Sequence, residues 1–258
     1  MIKIISQNCK KGIWVEKISS FYTKNRNPPI KDVFSEAEKD FDITIKRIVE
    51  SIELDKIDKK SKEWKDLTGD FGEIITCFFL SEKIVFMYLR WSLSPLKTGQ
   101  GIDIIGLDKD EKKIIVGESK YRNSIKESDI KATAKMLSKQ LKVDKIEKII
   151  DKPYNTFQST VWIKTVLKQE IEKGNLKFDT TLIDEIVDCK DYVRYGSIVR
   201  PKSDFSFDFK DAKKFFDDEL KEMTESKKDK WKDIILIDID LEDSNLELKS
   251  FLETLRNG

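Results

Sequence analysis

The chain has 258 residues, 39% of them hydrophobic and 38% charged, with a net charge of +1. Such a composition carries a core beneath a highly charged surface and excludes a disordered chain, while the charge balance alone points to no polyanionic partner. Histidine is absent, which excludes a Ser–His or Cys–His nucleophile pair, a histidine base and a histidine metal ligand.

Catalysis, if there is any, falls to carboxylates, lysines, hydroxyls or a hard cation held by oxygens. Cys9, Cys77 and Cys189 are far apart and lack CxxC spacing, the pattern of reduced buried thiols rather than a zinc site or disulfide framework. No apolar run reaches the length of a membrane span, and MIKIISQNCKKG carries no cleavable apolar leader; the expected location is the cytoplasm.

In chain order, NRNPPIKD (25–32) is a natural boundary, because Pro28 and Pro29 exclude a continuous helix. SEAEKDFDITIKRIVESIEL (35–54) reads as a helix with Ser35 as cap, Glu38 at the capping-box position and a stripe of Phe41, Ile45, Ile48 and Ile52. The lysine-rich stretch 55–66 reads as a linker or exposed edge. Residues 67–83 have the all-round apolar content of a central buried helix with Glu73 inside it. Strands are predicted at about 86–93, 102–107 and 113–121.

Beyond them, helices are predicted at 124–150, 156–173 and 179–190, and YVRYGSIV is a strand ended by Pro201. A helix at 208–225, a β-branched strand at 232–240 and a short terminal helix complete the chain. The whole is a mixed α/β layout, a sheet covered by helices. It divides into an N-terminal extension, partly helical (1–60), and a main domain (61–258).

The chemistry concentrates in GIDIIGLDKDEKKIIVGESKYR (101–122). Alternation along a strand puts Glu118 and Lys120 on one side and Ser119 on the other. Pairing of the two apolar runs brings Asp103 toward that end. A carboxylate pair beside a lysine can hold Mg2+ or Mn2+ through oxygens and leave the lysine to orient a water. Glu-x-Lys alone says little, since it occurs six times. Only Glu118–Lys120 closes an apolar strand behind a second strand that carries an acid. A structural ion pair at a sheet end is the competing reading of the same residues.

Gly101-Ile102-Asp103 followed by Glu118-Ser119-Lys120 resembles the signature of the PD-(D/E)xK nuclease superfamily, with Ile102 where the nominal proline stands. More narrowly, GDFGEIIT, SPLKTGQGIDIIG and GESKYR resemble the HamA family, nuclease subunits of Hachiman anti-phage systems. The resemblance implies a restriction-endonuclease-like core with helical additions and a Mg2+- or Mn2+-dependent DNA nuclease, a deoxyribonuclease, working beside a HamB-like helicase subunit. It further implies Asp103, Glu118, the Ser119 carbonyl and Glu73 as metal ligands, and Lys120 as the residue that positions or deprotonates the attacking water. A catalytically inert nucleic-acid- or partner-binding scaffold and a stand-alone restriction or repair nuclease are the alternatives. Tyr121, Arg122, Lys126, Lys131 and Lys135 follow the motif, as possible phosphate contacts or as a strand-end pair and a solvated face. Trp64, Trp91, Trp162 and Trp231 read as core or interface anchors.

Overall fold

The long apolar runs of this sequence become the strands of one six-stranded sheet, in the order β1-β6-β5-β4-β3-β2. The computed structural model describes residues 2–9, 15–25, 58, 60–89, 102–124, 126–151, 159–188, 191–204 and 208–257. Its elements are β1 (Ile2–Cys9), α1 (Val15–Asn25), α2 (Lys62–Leu80), β2 (Ile84–Leu89), β3 (Ile104–Asp108) and β4 (Ile114–Tyr121). There follow α3 (Glu127–Gln140), α4 (Val143–Ile150), α5 (Thr160–Glu172), α6 (Leu182–Asp188) and β5 (Tyr192–Pro201). Last come α7 (Lys210–Glu222), α8 (Glu225–Trp231), β6 (Asp233–Leu241) and α9 (Ser244–Asn257). The architecture is mixed α/β, consistent with a restriction-endonuclease-like core.

β2, β3 and β4 form an antiparallel meander, and β4, β5, β6 and β1 run parallel. β4 joins the two halves. Its even-numbered Ile114 and Val116 enter one core with Leu137 of α3, Val166 of α5 and Phe216 of α7. Its odd-numbered Ile115 and Tyr121 enter the other, with Phe71 and Ile75 of α2, Ile18 of α1 and Phe251 of α9. A strand buried on both faces needs an unbroken apolar run rather than alternation, which is why IIVG could be read as a strand from sequence.

Several boundaries differ from the sequence reading. α2 starts at Lys62, inside the stretch read as a linker, because the Ser61 hydroxyl accepts from the Trp64 amide at 3.1 Å and caps it. The helix expected over 124–150 breaks at Leu141–Lys142, where side chains from elsewhere satisfy the freed backbone. Arg194 of β5 donates to the Leu141 carbonyl at 3.2 Å, and the Val143 amide donates to Glu219 of α7 at 3.0 Å. The helix expected over 208–225 becomes α7 and α8, separated by Met223 and Thr224 in extended conformations. The terminal helix is 14 residues long.

β1, which the sequence reading lacks, is the edge strand paired with β6, and Ile4 on it is 45% exposed. α1 packs against α9, with Tyr22 edge-on to Phe251 at 5.8 Å. The Pro28–Pro29 boundary, the helix expected over 35–54 and residues 90–93 of the strand expected over 86–93 lie outside the described residues. Among the described residues no helix is long and apolar enough to cross a membrane.

Candidate active site

The register Ile104↔Gly117 between β3 and β4 places Asp103 beside the carboxyl end of β4. The Asp103 amide donates to the Gly117 carbonyl at 3.1 Å, and the Ser119 amide donates back to Asp103 Oδ2 at 2.9 Å. On the same end, Lys120 Nζ lies 2.9 Å from Glu118 Oε2 and 3.7 Å from Asp103 Oδ2. Asp103, Glu118 and Lys120, spread over 18 positions of the sequence, therefore meet as one cluster.

The electrostatics of the cluster are unbalanced. Asp103 and Glu118 are 4% and 5% exposed. Burial first, and then the neighbouring Asp103, push the Glu118 carboxyl up to about 8, against the opposing pull of Lys120. One ammonium does not neutralise two buried carboxylates that also crowd each other, so a proton or a further cation is favoured there.

Glu73 reaches this region from the other layer. Glu118 and Lys120 share the face of Ile114 and Val116, whereas Ser119 and Tyr121 face α2. Glu73 lies on α2 and is 1% exposed. At the end of β4 a cavity of about 310 Å3 is lined by Glu73, Ser119, Lys120 and Arg122, with Trp64 and Lys65 from the first turns of α2. Among the described residues no three acids, histidines or cysteines converge as a metal-holding group. The geometry thus brings Asp103, Glu118 and Lys120 together and sets Glu73 around a cavity shared with Lys120.

Close approach of α2 to β4 depends on Gly72. A Cβ at that position would lie 2.9 Å from Tyr121 Cβ, inside any real contact. One residue further along the helix is Glu73, so the glycine allows the acid to stand at the strand end.

Other residues singled out in the sequence have structural employment. Arg122 donates through Nε to Thr133 Oγ1 and through a terminal nitrogen to the Tyr121 carbonyl, both at 2.8 Å. Its partial burial lowers its pKa. Lys131 pairs with Glu127 at 2.8 Å on the outer face of α3, and Lys126 and Lys135 are exposed there. Trp162 donates to the Met87 carbonyl at 2.9 Å, and Trp231 stacks on Tyr192 at 4.5 Å. Trp64 is half-buried at the cavity, and Trp91 lies outside the described residues.

The sequence reading did not single out Thr76 or Ser197, which bond to Ser119 or to its neighbour from α2 and β5. For Thr76 a signal existed, since position i+3 from Glu73 shares its helix face. For Ser197 none did, because only β4–β5 pairing brings it near.

A family model for HamA matches residues 16–255, nearly the whole chain. The chain belongs to the HamA family. Membership gives it a role related to Hachiman defence, a system with a helicase partner. No curated protein matches the sequence. The span matched includes α1, so the HamA match extends well beyond the segment 67–150 that carries the motifs.

Proposed function

We propose that this HamA-family chain is a metal-dependent DNA nuclease that hydrolyses phosphodiester bonds in the cytoplasm during anti-phage defence, working with a HamB-like helicase subunit. The observation that carries the reading is the buried pair Asp103 and Glu118 beside Lys120, the one cation on them among the described residues, at a strand end that opens on a cavity.

The donor set suits a hard divalent cation. Two buried carboxylates with one ammonium between them lack positive charge, and oxygen donors without imidazole or thiolate match Mg2+ or Mn2+. Asp103 and Glu118 would hold the ion, with the Ser119 carbonyl and Glu73 as further oxygens. When bound, it would act as a Lewis acid that lowers the pKa of water and offsets phosphate charge.

The protein's own groups do the rest. Lys120, held by Glu118 at 2.9 Å, presents its ammonium to an attacking water and to charge developing at phosphorus. Asp103, fixed by the Ser119 amide at 2.9 Å, keeps one carboxylate oriented on β3's entry while Glu118 is carried by β4. Lys65 and Arg122, at the cavity wall, offer positive charge to flanking phosphates.

The test is plasmid cleavage by the chain with its helicase partner in Mg2+ or Mn2+, beside folded Glu118→Ala and Lys120→Ala variants. Cleavage by the wild type alone is expected. Equal cleavage by all three would sink the catalytic assignment. DNA binding without cutting under every condition would favour the inert scaffold.

A further inference from the structure

Ser119 sits between the two side chains that define the site, yet its own side chain points away from them, toward α2. There its hydroxyl lies 3.0 Å from Thr76 Oγ1. The opposite residue of β5, Ser197, lies 2.7 Å from the same atom. Thr76, Ser119 and Ser197 are 1%, 5% and 0% exposed.

The directions of these bonds follow from valence. Thr76 Oγ1 also lies 2.9 Å from the Gly72 carbonyl, which can only accept. A hydroxyl has one hydrogen and two lone pairs. Thr76 therefore donates to Gly72, and both serine hydroxyls donate to Thr76. One oxygen on α2 thus holds two adjacent strands.

The consequences reach the site by two short routes. The Ser119 amide donates to Asp103 Oδ2 at 2.9 Å, so holding Ser119 in place holds the carboxylate partner. Glu73 lies three residues before Thr76 on α2 and lines the cavity beside Lys120. A shift of the helix along β4 would move Glu73 and release Ser119 together.

We propose that Thr76 is a positioning residue of this centre: its hydroxyl locks the phase of α2 on β4 and β5, setting Glu73 against Lys120 and holding the Ser119 amide on Asp103. The role in cleavage rests on the nuclease reading above, whereas the role in placing Ser119 does not.

Two variants separate positioning from bulk stability. Thr76→Val keeps the volume but leaves two buried donors without their acceptor; Thr76→Ser keeps the acceptor. Hydrogen exchange is followed by mass spectrometry in metal-free full-length chain, comparing a peptide spanning 117–121 with one from β6. In Thr76→Val, exchange over 117–121 rises by about tenfold or more relative to β6, the scale of leaving a buried hydrogen-bonding group unsatisfied. Thr76→Ser stays within about twofold of wild type, since the acceptor survives.

In cleavage assays with the helicase partner, Thr76→Val shifts the half-maximal Mn2+ concentration upward and Thr76→Ser does not. Uniform acceleration over β4 and β6 with unchanged Mn2+ dependence would make Thr76 structural only and overturn the proposal. Failure of every protein, wild type included, to cut would count against the nuclease reading. The exchange data would still decide whether Thr76 places Ser119, and unchanged exchange in Thr76→Val overturns that too.

Discussion

Two clusters of one cation and two acids stand near each other at the carboxyl ends of the parallel strands, and they solve the same electrostatic problem differently. At the end of β5 and β6, Arg200 sends Nε to Asp238 Oδ1 at 2.9 Å and a terminal nitrogen to Asp238 Oδ2 at 2.7 Å. That same nitrogen lies 2.8 Å from Asp240 Oδ1, and Ser203 accepts from the other terminal nitrogen at 2.6 Å. The planar guanidinium matches a carboxylate with two parallel bonds and still has donors to spare. At the end of β4, Lys120 offers a compact ammonium, 2.9 Å from Glu118 and 3.7 Å from Asp103, and the Glu118 carboxyl is pushed up to about 8. The guanidinium closes on Asp238 with two parallel bonds, while Asp240 is held by charge alone and burial, then Asp238, raise its pKa. Among the described residues the lysine cluster is left short of positive charge beside a cavity, and a divalent cation would relieve that shortage.

The largest expected effect separates the clusters by what each loss damages. Lys120→Ala or Glu118→Ala lowers plasmid cleavage by about a thousandfold or more, and Glu118→Ala, which removes one of the two crowded carboxylates, changes the thermal midpoint little. Arg200→Ala strands two carboxylates at a buried site and costs about 3–5 kcal/mol of stability, read as a large fall in the unfolding midpoint. Loss of cleavage without loss of stability on replacing Arg200, or the reverse on replacing Glu118, would break the contrast.

Acidity sharpens it. The folded-state pKa of Glu118 is raised from 4.5 to about 8, so between these values the folded chain keeps a proton that the unfolded chain has released. This group's contribution is full below pH 4.5 and is lost as pH rises toward 8. Denaturant unfolding of metal-free protein should show that decline, and Glu118→Gln should flatten it. At pH 8, Mg2+ or Mn2+ should restore stability by about 2.7 kcal/mol at a hundredfold excess over the dissociation constant. EDTA should remove the gain, and Glu118→Gln should not show it. Equal pH slopes in the two proteins would refute the assigned shift.

A smaller effect is expected at the helix contact. Gly72→Ala places a methyl 2.9 Å from Tyr121 Cβ and should cost about 1–3 kcal/mol through overpacking, with reduced cleavage because Glu73 moves with α2. Lys65→Ala should be the mildest, lowering the salt-dependence slope of DNA binding by about one, as expected for loss of one phosphate contact. A slope identical to wild type would remove Lys65 from the substrate path.

Much of the fold was legible. Buried strands such as IIVGESKY and DIILIDIDL carry unbroken apolar runs that few other structures need, and α2 announces its burial by apolar residues on several faces. The edge strand β1 was not legible, because half-exposed residues such as Ile4 carry no strong period and its place depends on β6, some 230 residues away. Nor is the division of the 124–150 helix legible in its local sequence, since Arg194 and Glu219, which satisfy the break, lie far along the chain. Within the candidate site, only position distinguished Glu118–Lys120 from the other Glu-x-Lys pairs. Glu111–Lys113 sits in the β3–β4 turn, and Glu219–Lys221 lies on α7 with Glu219 committed to Arg194.

Local sequence determined the buried strands and α2, the absence of imidazole chemistry and the alternation that puts Glu118 and Lys120 on one side of β4. These depend on side-chain type and a period of two or 3.6, which neighbouring residues settle among themselves. Only the tertiary structure decided that Asp103 faces that end, that Glu73 arrives from the opposite layer, and that Thr76 ties α2 to both serines. It also decided that Arg200 closes on Asp238 with two parallel bonds while Lys120 meets Glu118 and Asp103 with one compact ammonium. Such outcomes depend on register, burial and the distance between groups remote in sequence, and desolvation by the assembled core is what turns a charged motif into an unbalanced site.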